Sequence, residues 1–229
     1  MIQESKHTQL NEEHWDKWAD KIDGKGWRYE FLRKIQKDVV ALLDLKPDIN
    51  FLDIGCGTGW ALYHAAQRIN NHGTFYGIDL SSKMIEKAKE NFRGNGNFHF
   101  IKANSEAIPL DENFFDVIIS TNSFHHYLHP DKALYEIYRI LKPGGQFYLE
   151  DPPADYLLAK IADKIMRLLE PGHVKMYSTK EIQSLFAAAG LKYTDTVGIV
   201  YHEKVHIGEK ERHKVEGQNS KVKRATSQF

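Results

Sequence analysis

Cysteine is nearly missing from this chain: Cys56 is the only one in 229 residues, so no internal disulfide can form. An excess of charge of either sign is missing as well. Lys and Arg together number 31, as do Asp and Glu, so the formal net charge is +0 and no overall basic field exists to hold a polyanion such as nucleic acid. No apolar run approaches the roughly 20 residues needed to span a bilayer, which excludes insertion but not attachment to a membrane surface. The opening MIQESKHTQL lacks the apolar core of a secretory signal, and with the single cysteine it points to a reducing, cytoplasmic setting.

What is present is ordinary globular material, with 41% hydrophobic and 27% charged residues. Short apolar runs at 51–54, 74–79, 98–102, 115–120 and 146–151 alternate with amphipathic stretches, the pattern of strands and crossover helices in a parallel sheet. Ile85, Ala88 and Phe92 fall at helical spacing, as do Leu134, Ile137, Tyr138 and Leu141. STKE at 178–181 has capping-box form and leads into the stripe Ile182, Leu185, Phe186 and Ala189, which Gly190 stops. Two further strands, about 192–199 and 200–206, read as a closing hairpin around Gly198. The expected organisation is a single domain over residues 1–207, with a helical cap at 1–45 and a polar, disordered tail at 208–229. Glu209, Glu211 and Glu216 dilute the basic residues of that tail, which argues against a nucleic-acid arm.

The informative stretch is FLDIGCGTGW at 51–60, a strand running into three alternate glycines and then a helix. Gly55, Gly57 and Gly59 allow unusual φ values and let a ligand approach backbone amides. Asp79 closes the next strand, where a carboxylate can accept hydrogen bonds from both hydroxyls of a ribose. The spacing G-x-G-x-G departs from the dinucleotide fingerprint G-x-G-x-x-G, because Trp60 stands where the last glycine would be. Asp53, just before the turn, suits a ligand ammonium better than a diphosphate. A ribose, a cation and no phosphate describe S-adenosylmethionine, and a Rossmann oxidoreductase becomes the weaker alternative.

LDIGCGTG (52–59), GIDLS (77–81), NSEAIPL (104–110), FFDVIISTNSFHH (114–126) and LKPGG (141–145) resemble, in order and spacing, the motifs of class I S-adenosylmethionine-dependent methyltransferases. The likeness covers about residues 45–192 and is closest to the small-molecule branch that includes ubiquinone and menaquinone biosynthesis C-methyltransferases. It implies an α/β, Rossmann-like, doubly wound, mostly parallel seven-stranded sheet with an antiparallel last strand. It implies that Asp53 and the loop Gly55, Cys56, Gly57 and Gly59 hold the methionine part, that Asp79 takes the ribose, and that Leu80 packs on the adenine. Asn104 stands where the family usually has Asp and would accept the adenine amino proton through its carbonyl oxygen, more weakly for lack of charge. Ser105 would offer its backbone amide to the ring, and Thr121 would face the methionine amino group.

His125 and His126 follow the fourth strand on the side where the resemblance places the methyl group, and either can serve as a general base or simply pack the following helix. With His129 they also read as metal ligands, but no cysteine or acid at close spacing completes a set. DPPA at 151–154 invites comparison with a D/N-P-P-aromatic base-methylation motif. It follows strand five rather than strand four, and Ala154 replaces the aromatic; the prolines more simply break the strand. Residues 154–177 carry Leu157, Leu158, Ile161, Ile165, Leu168 and Leu169, a helix that either roofs an acceptor pocket or packs on the core. Trp15 and Trp18 are pocket wall or packing anchors, and His202 and His206 read as surface residues on one strand face. The sequence thus expects methyl transfer to a small-molecule acceptor, with a nucleic-acid or protein methyltransferase and a non-catalytic S-adenosylmethionine-binding regulator as alternatives.

Overall fold

The structure is a computed structural model that describes residues 2–24, 26–170 and 172–212. Two helices, α1 (Ile2–Ile22) and α2 (Trp27–Leu42), precede the sheet within the expected helical cap at 1–45. The sheet has seven strands: β1 (Ile49–Ile54), β2 (Gly73–Asp79), β3 (Phe98–Lys102), β4 (Phe115–Thr121), β5 (Leu141–Asp151), β6 (Lys192–Gly198) and β7 (Lys204–Glu209). Their order is β3-β2-β1-β4-β5-β7-β6. The first five strands run parallel, and β7 is antiparallel to both of its neighbours, as the sequence expects of the last strand. β1 and β4 are near-continuous apolar runs because helices cover both faces of the sheet.

One face is filled by Ile35, Val39 and Val40 of α2, by Leu62 and Ala65 of α3 (Trp60–Arg68), and by Ile85 and Ala88 of α4 (Ser82–Asn91). The opposite face takes Leu134 and Ile137 of α5 (Pro130–Ile140), with Ile182 and Phe186 of α7 (Thr179–Ala188). The capping box at Ser178 and Glu181 forms as the sequence indicates. α1 is held differently, through polar contacts: Lys102 with Glu12, Ser81 with Asp16, and Lys87 with Asp20.

Four boundaries differ from the sequence reading. Leu141 belongs to β5 rather than to the preceding helix, because Pro143 disfavours helical backbone at Lys142. The apolar stretch 154–177 is helical only as α6 (Leu157–Leu169), and Gly172 at φ 88° carries the chain away from it. A 3₁₀ turn (Val200–His202) separates β6 from β7, with His202 at φ 68°, so His202 and His206 do not share a strand. His206 is buried rather than exposed and bonds Tyr193 at 2.7 Å. Burial, aided by the Lys204 charge, pushes its pKa down to about 4. Finally, β7 continues to Glu209, past the expected strand end at 206 and the expected domain end at 207, because it pairs with β5, and Lys210 still exchanges backbone hydrogen bonds with Gly144 and Gly145. The remainder of the expected tail, 213–229, lies outside the described residues.

Candidate active site

The strand order reverses between β1 and β4, and in such sheets the crevice at the carboxyl ends of the strands beside that point takes ligands. A cavity of about 310 Å³ lies there. Gly55, Cys56 and Gly57 line it from the turn after β1, Asp79 and Leu80 from the end of β2, Asn104 and Ser105 from the loop after β3, and Thr121 from the end of β4. The turn is glycine by necessity: Gly55 has φ 77°, and a Cβ on it would stand 2.6 Å from the Ser123 side chain. Gly57, at φ 52°, has open space where its Cβ would be.

The Gly57 amide donates to Asp79 Oδ2 at 2.9 Å and the Ser81 amide to Oδ1 at 2.8 Å. These bonds fix the carboxylate while leaving further acceptor positions on both oxygens. Burial pushes the Asp79 pKa up to about 6 against the opposing pull of the two amides. Thr121 Oγ1 is buried with no hydrogen-bond partner among the described residues. Asn104 uses its carbonyl oxygen locally, accepting from the Glu106 amide at 2.9 Å, so only one lone pair of that oxygen remains for a ligand.

Two expected residues do not line the cavity. Gly59, at φ 94°, caps α3, and a Cβ there would meet the Phe92 ring at 2.7 Å. Asp53 is fully buried beneath the turn, and neither carboxylate oxygen has a partner among the described residues. Burial, and secondarily the Asp79 charge, raise its pKa to about 8.

At the other end the two histidines have different environments. His125 Nδ1 lies 2.8 Å from Asp151 Oδ1, which fixes Nδ1 as the protonated nitrogen and leaves Nε2 as the basic one. Burial would lower the His125 pKa, but Asp151, with Glu170 and Asp163 adding, raises it overall. The neighbouring Glu150 and Glu203 are driven toward their neutral forms, Glu203 to about 7, chiefly by burial and then by the Asp151 charge. His126 instead donates from Nδ1 to the Gly172 carbonyl at 3.1 Å. Burial and the positive fields of His125, His173 and His14 push its pKa down to about 2, so it stays neutral although Glu170 lies 3.8 Å away. Its Nε2 has no hydrogen-bond partner among the described residues.

Side chains distant in sequence complete the walls. Trp15 lines the cavity, its ring 5.3 Å from that of His126 and edge-on to it, whereas Trp18 does not line it. Asp23 accepts from both Thr58 Oγ1 at 2.6 Å and Trp60 Nε1 at 2.9 Å, and Arg33 lies over the Trp60 ring. Met166, Glu170 and His173 close the far side. Of these, sequence reasoning found Trp15 and missed Asp23, Asp151, Glu170 and His173. The acid of DPPA is the one with a signal, since it ends a strand beside the one that leads to His125.

A family model described as a methyltransferase domain matches residues 45–203. The chain belongs to this methyltransferase family. The buried unpaired Thr121 hydroxyl, the open space at Gly57 and the Asp79 carboxylate fit S-adenosylmethionine, the cofactor that the sequence motifs imply. The methyltransferase YcgJ of Bacillus subtilis is 30% identical over 162 residues, 69% of this chain and 62% of its own length. A ubiquinone/menaquinone biosynthesis C-methyltransferase, UbiE, of Francisella tularensis is 31% identical over 134 residues, 56% of this chain and 54% of its own. The chain thus spans roughly half to three-fifths of the curated relatives it matches. In structure it is similar to a chain from the complex of the Haloferax volcanii Trm112 methyltransferase activator with a methyltransferase. The TM-score is 0.77 at 20% identity, covering 88% of this chain and 98% of that one. An S-adenosylmethionine-dependent methyltransferase from Aquifex aeolicus gives 0.66 at 24% identity, covering 85% and 98%. No described helix is long and apolar enough to cross a membrane.

Proposed function

We propose that the protein transfers a methyl group to a small, partly apolar acceptor in the cytoplasm, with His125 as the general base. One observation carries this reading: a single cavity joins the glycine turn and Asp79 to a histidine held by a buried aspartate. When bound, S-adenosylmethionine supplies a methyl group already activated by its sulfonium charge. Asp79 accepts from the ribose hydroxyls, Leu80 packs on the adenine, and Asn104 and Ser105 meet its polar edge. Thr121 and the Gly55, Cys56 and Gly57 backbone hold the amino-acid end. Alignment of donor and acceptor supplies about 7 to 11 kcal/mol of the barrier. His125 Nε2 removes the acceptor proton for a further factor of roughly 10² to 10⁴. His126, neutral and with an unpaired nitrogen, accepts a hydrogen bond from the acceptor, and Trp15 and Met166 give it an apolar surface. The neutral net charge favours a small acceptor over nucleic acid, and the similarity to UbiE, a C-methyltransferase, supports a carbon acceptor.

The ribose hydroxyls bind the ionised form of Asp79, whose pKa in the cofactor-free protein is raised to about 6. Affinity for S-adenosylhomocysteine should therefore hold above pH 7 and fall toward tenfold per unit below about pH 6. Calorimetric titrations from pH 5 to 8 check this; a flat profile removes Asp79 from the ribose. The functional reading itself is tested by incubating the protein with S-adenosylmethionine and panels of phenols, quinols, amines and carbon acids, and measuring S-adenosylhomocysteine formation by mass spectrometry. Turnover with a small acceptor is expected. Turnover only with protein or nucleic acid, or donor binding without turnover on any panel, contradicts it.

A further inference from the structure

α6 is built inside out. Its buried residue is Asp163, which accepts hydrogen bonds from His173 Nε2 at 2.9 Å, the Met176 amide at 2.7 Å and Arg167 at 2.6 Å. Its outward residues are apolar: Leu157, Leu158, Ile161, Ile165, Leu168 and Leu169 are between 48% and 87% exposed. Ile161, Ile165 and Leu168 stand at i, i+4 and i+7, with Leu158 one turn earlier, so they form one continuous stripe. A stripe of this size on a chain in water marks an interaction surface. Of the two sequence readings of this helix, pocket roof or core packing, the second is overturned for these residues: the core takes the aspartate and the solvent side takes the leucines.

We infer that this face of α6 docks on an anionic lipid surface, holding the acceptor end of the cavity against the membrane. The charge distribution selects that occupant. Lys160, Lys164 and Arg167 line one flank of the stripe, and no acidic residue of α6 points outward. The surrounding acids are engaged: Asp155 pairs with Lys204, Glu181 with Lys175, and Asp163 with Arg167 and His173. A second copy packed on the same stripe would bring like cations together, whereas anionic headgroups neutralise them. Tyr156, half exposed at the helix start with the Lys204 ammonium 5.9 Å from its ring centre, suits headgroup depth. At 13 residues the helix is about 20 Å long, too short to span and suited to lying in the interface. Its inner side places Met166 in the cavity wall, so the docked face and the site share one helix.

The test is sedimentation of the purified protein with vesicles of phosphatidylcholine containing about one-third phosphatidylglycerol, and with pure phosphatidylcholine vesicles, alongside light scattering without lipid. Binding to the anionic vesicles is expected. Lys160→Gln with Lys164→Gln should weaken it about thirtyfold, at roughly 1 kcal/mol per cation near an anionic surface. Leu158→Ser with Leu168→Ser should abolish it while leaving S-adenosylhomocysteine affinity unchanged, which shows that the fold and cofactor site are intact. Protein that stays in the supernatant, or variants that bind like the parent, overturn the proposal. A lipid-free dimer lost in Leu158→Ser with Leu168→Ser assigns the face to self-association instead. Monomer that ignores vesicles leaves the face to another protein. None of these readouts involves methyl transfer, so the proposal and the catalytic reading fail separately.

Discussion

His125→Gln should lower kcat by roughly 10² to 10⁴ on an acceptor whose proton must leave, with affinity for S-adenosylhomocysteine unchanged. The reasoning is local. Asp151 fixes the protonated nitrogen of His125, so Nε2 is the available base, and glutamine has no basic nitrogen to replace it. Because the carboxylate raises the His125 pKa above its ordinary 6.5, the parent enzyme's rate should climb with pH through a value above 6.5, as the imidazole becomes neutral. Asp151→Asn removes the charge that raises this pKa and the acceptor that selects the tautomer. The acid limb should then move to lower pH while the plateau rate falls. His126→Gln should have the smaller effect, since His126 stays neutral across this range with a pKa near about 2. Equal losses in His125→Gln and His126→Gln, or a normal rate in His125→Gln, would remove the base from the mechanism.

Asp79→Asn should weaken S-adenosylmethionine and S-adenosylhomocysteine at least tenfold. Hydrogen bonds to a charged group contribute about 1.5 to 3 kcal/mol each, and the substitution removes the charge while keeping the shape. The same change turns one acceptor oxygen into a donor group facing the amide of Gly57 or Ser81, so the turn loses one of its two anchors. Circular dichroism and a melting curve separate loss of fold from loss of binding. In the cofactor-free protein the sign on stability is opposite. Asp79 and Asp53 have folded pKa values near about 6 and about 8, both above the unfolded value of 3.8. The folded state therefore binds more protons between about pH 4 and pH 8, and stability falls as pH rises through that window. Asp53→Asn should raise the melting temperature of the cofactor-free protein at pH 8.

The sheet was legible because each central strand is a short apolar run bounded by turn residues, and the crossover helices show their stripes. The glycine turn and Asp79 were legible because backbone geometry restricts the residue types a turn of this kind tolerates. Asp23 and Asp151 were not, since they sit 35 and 26 residues from Thr58 and His125, and only the fold brings them together. Asp53 was misplaced for a related reason: strand alternation fixes the face it points to, but not whether the turn above it leaves an opening. α6 misled most, because an apolar stripe at helical spacing carries no mark of which side the protein covers. The buried Asp163, held by partners later in the chain, decides that orientation.

The most direct test of the central claim is a calorimetric titration of the parent protein and Asp79→Asn with S-adenosylhomocysteine at pH 7.5. One-to-one binding by the parent, weakened at least tenfold in a folded Asp79→Asn variant, is the predicted result. No binding by the parent, or equal affinity in the two proteins, would contradict the assignment of the cavity beside FLDIGCGTGW to S-adenosylmethionine.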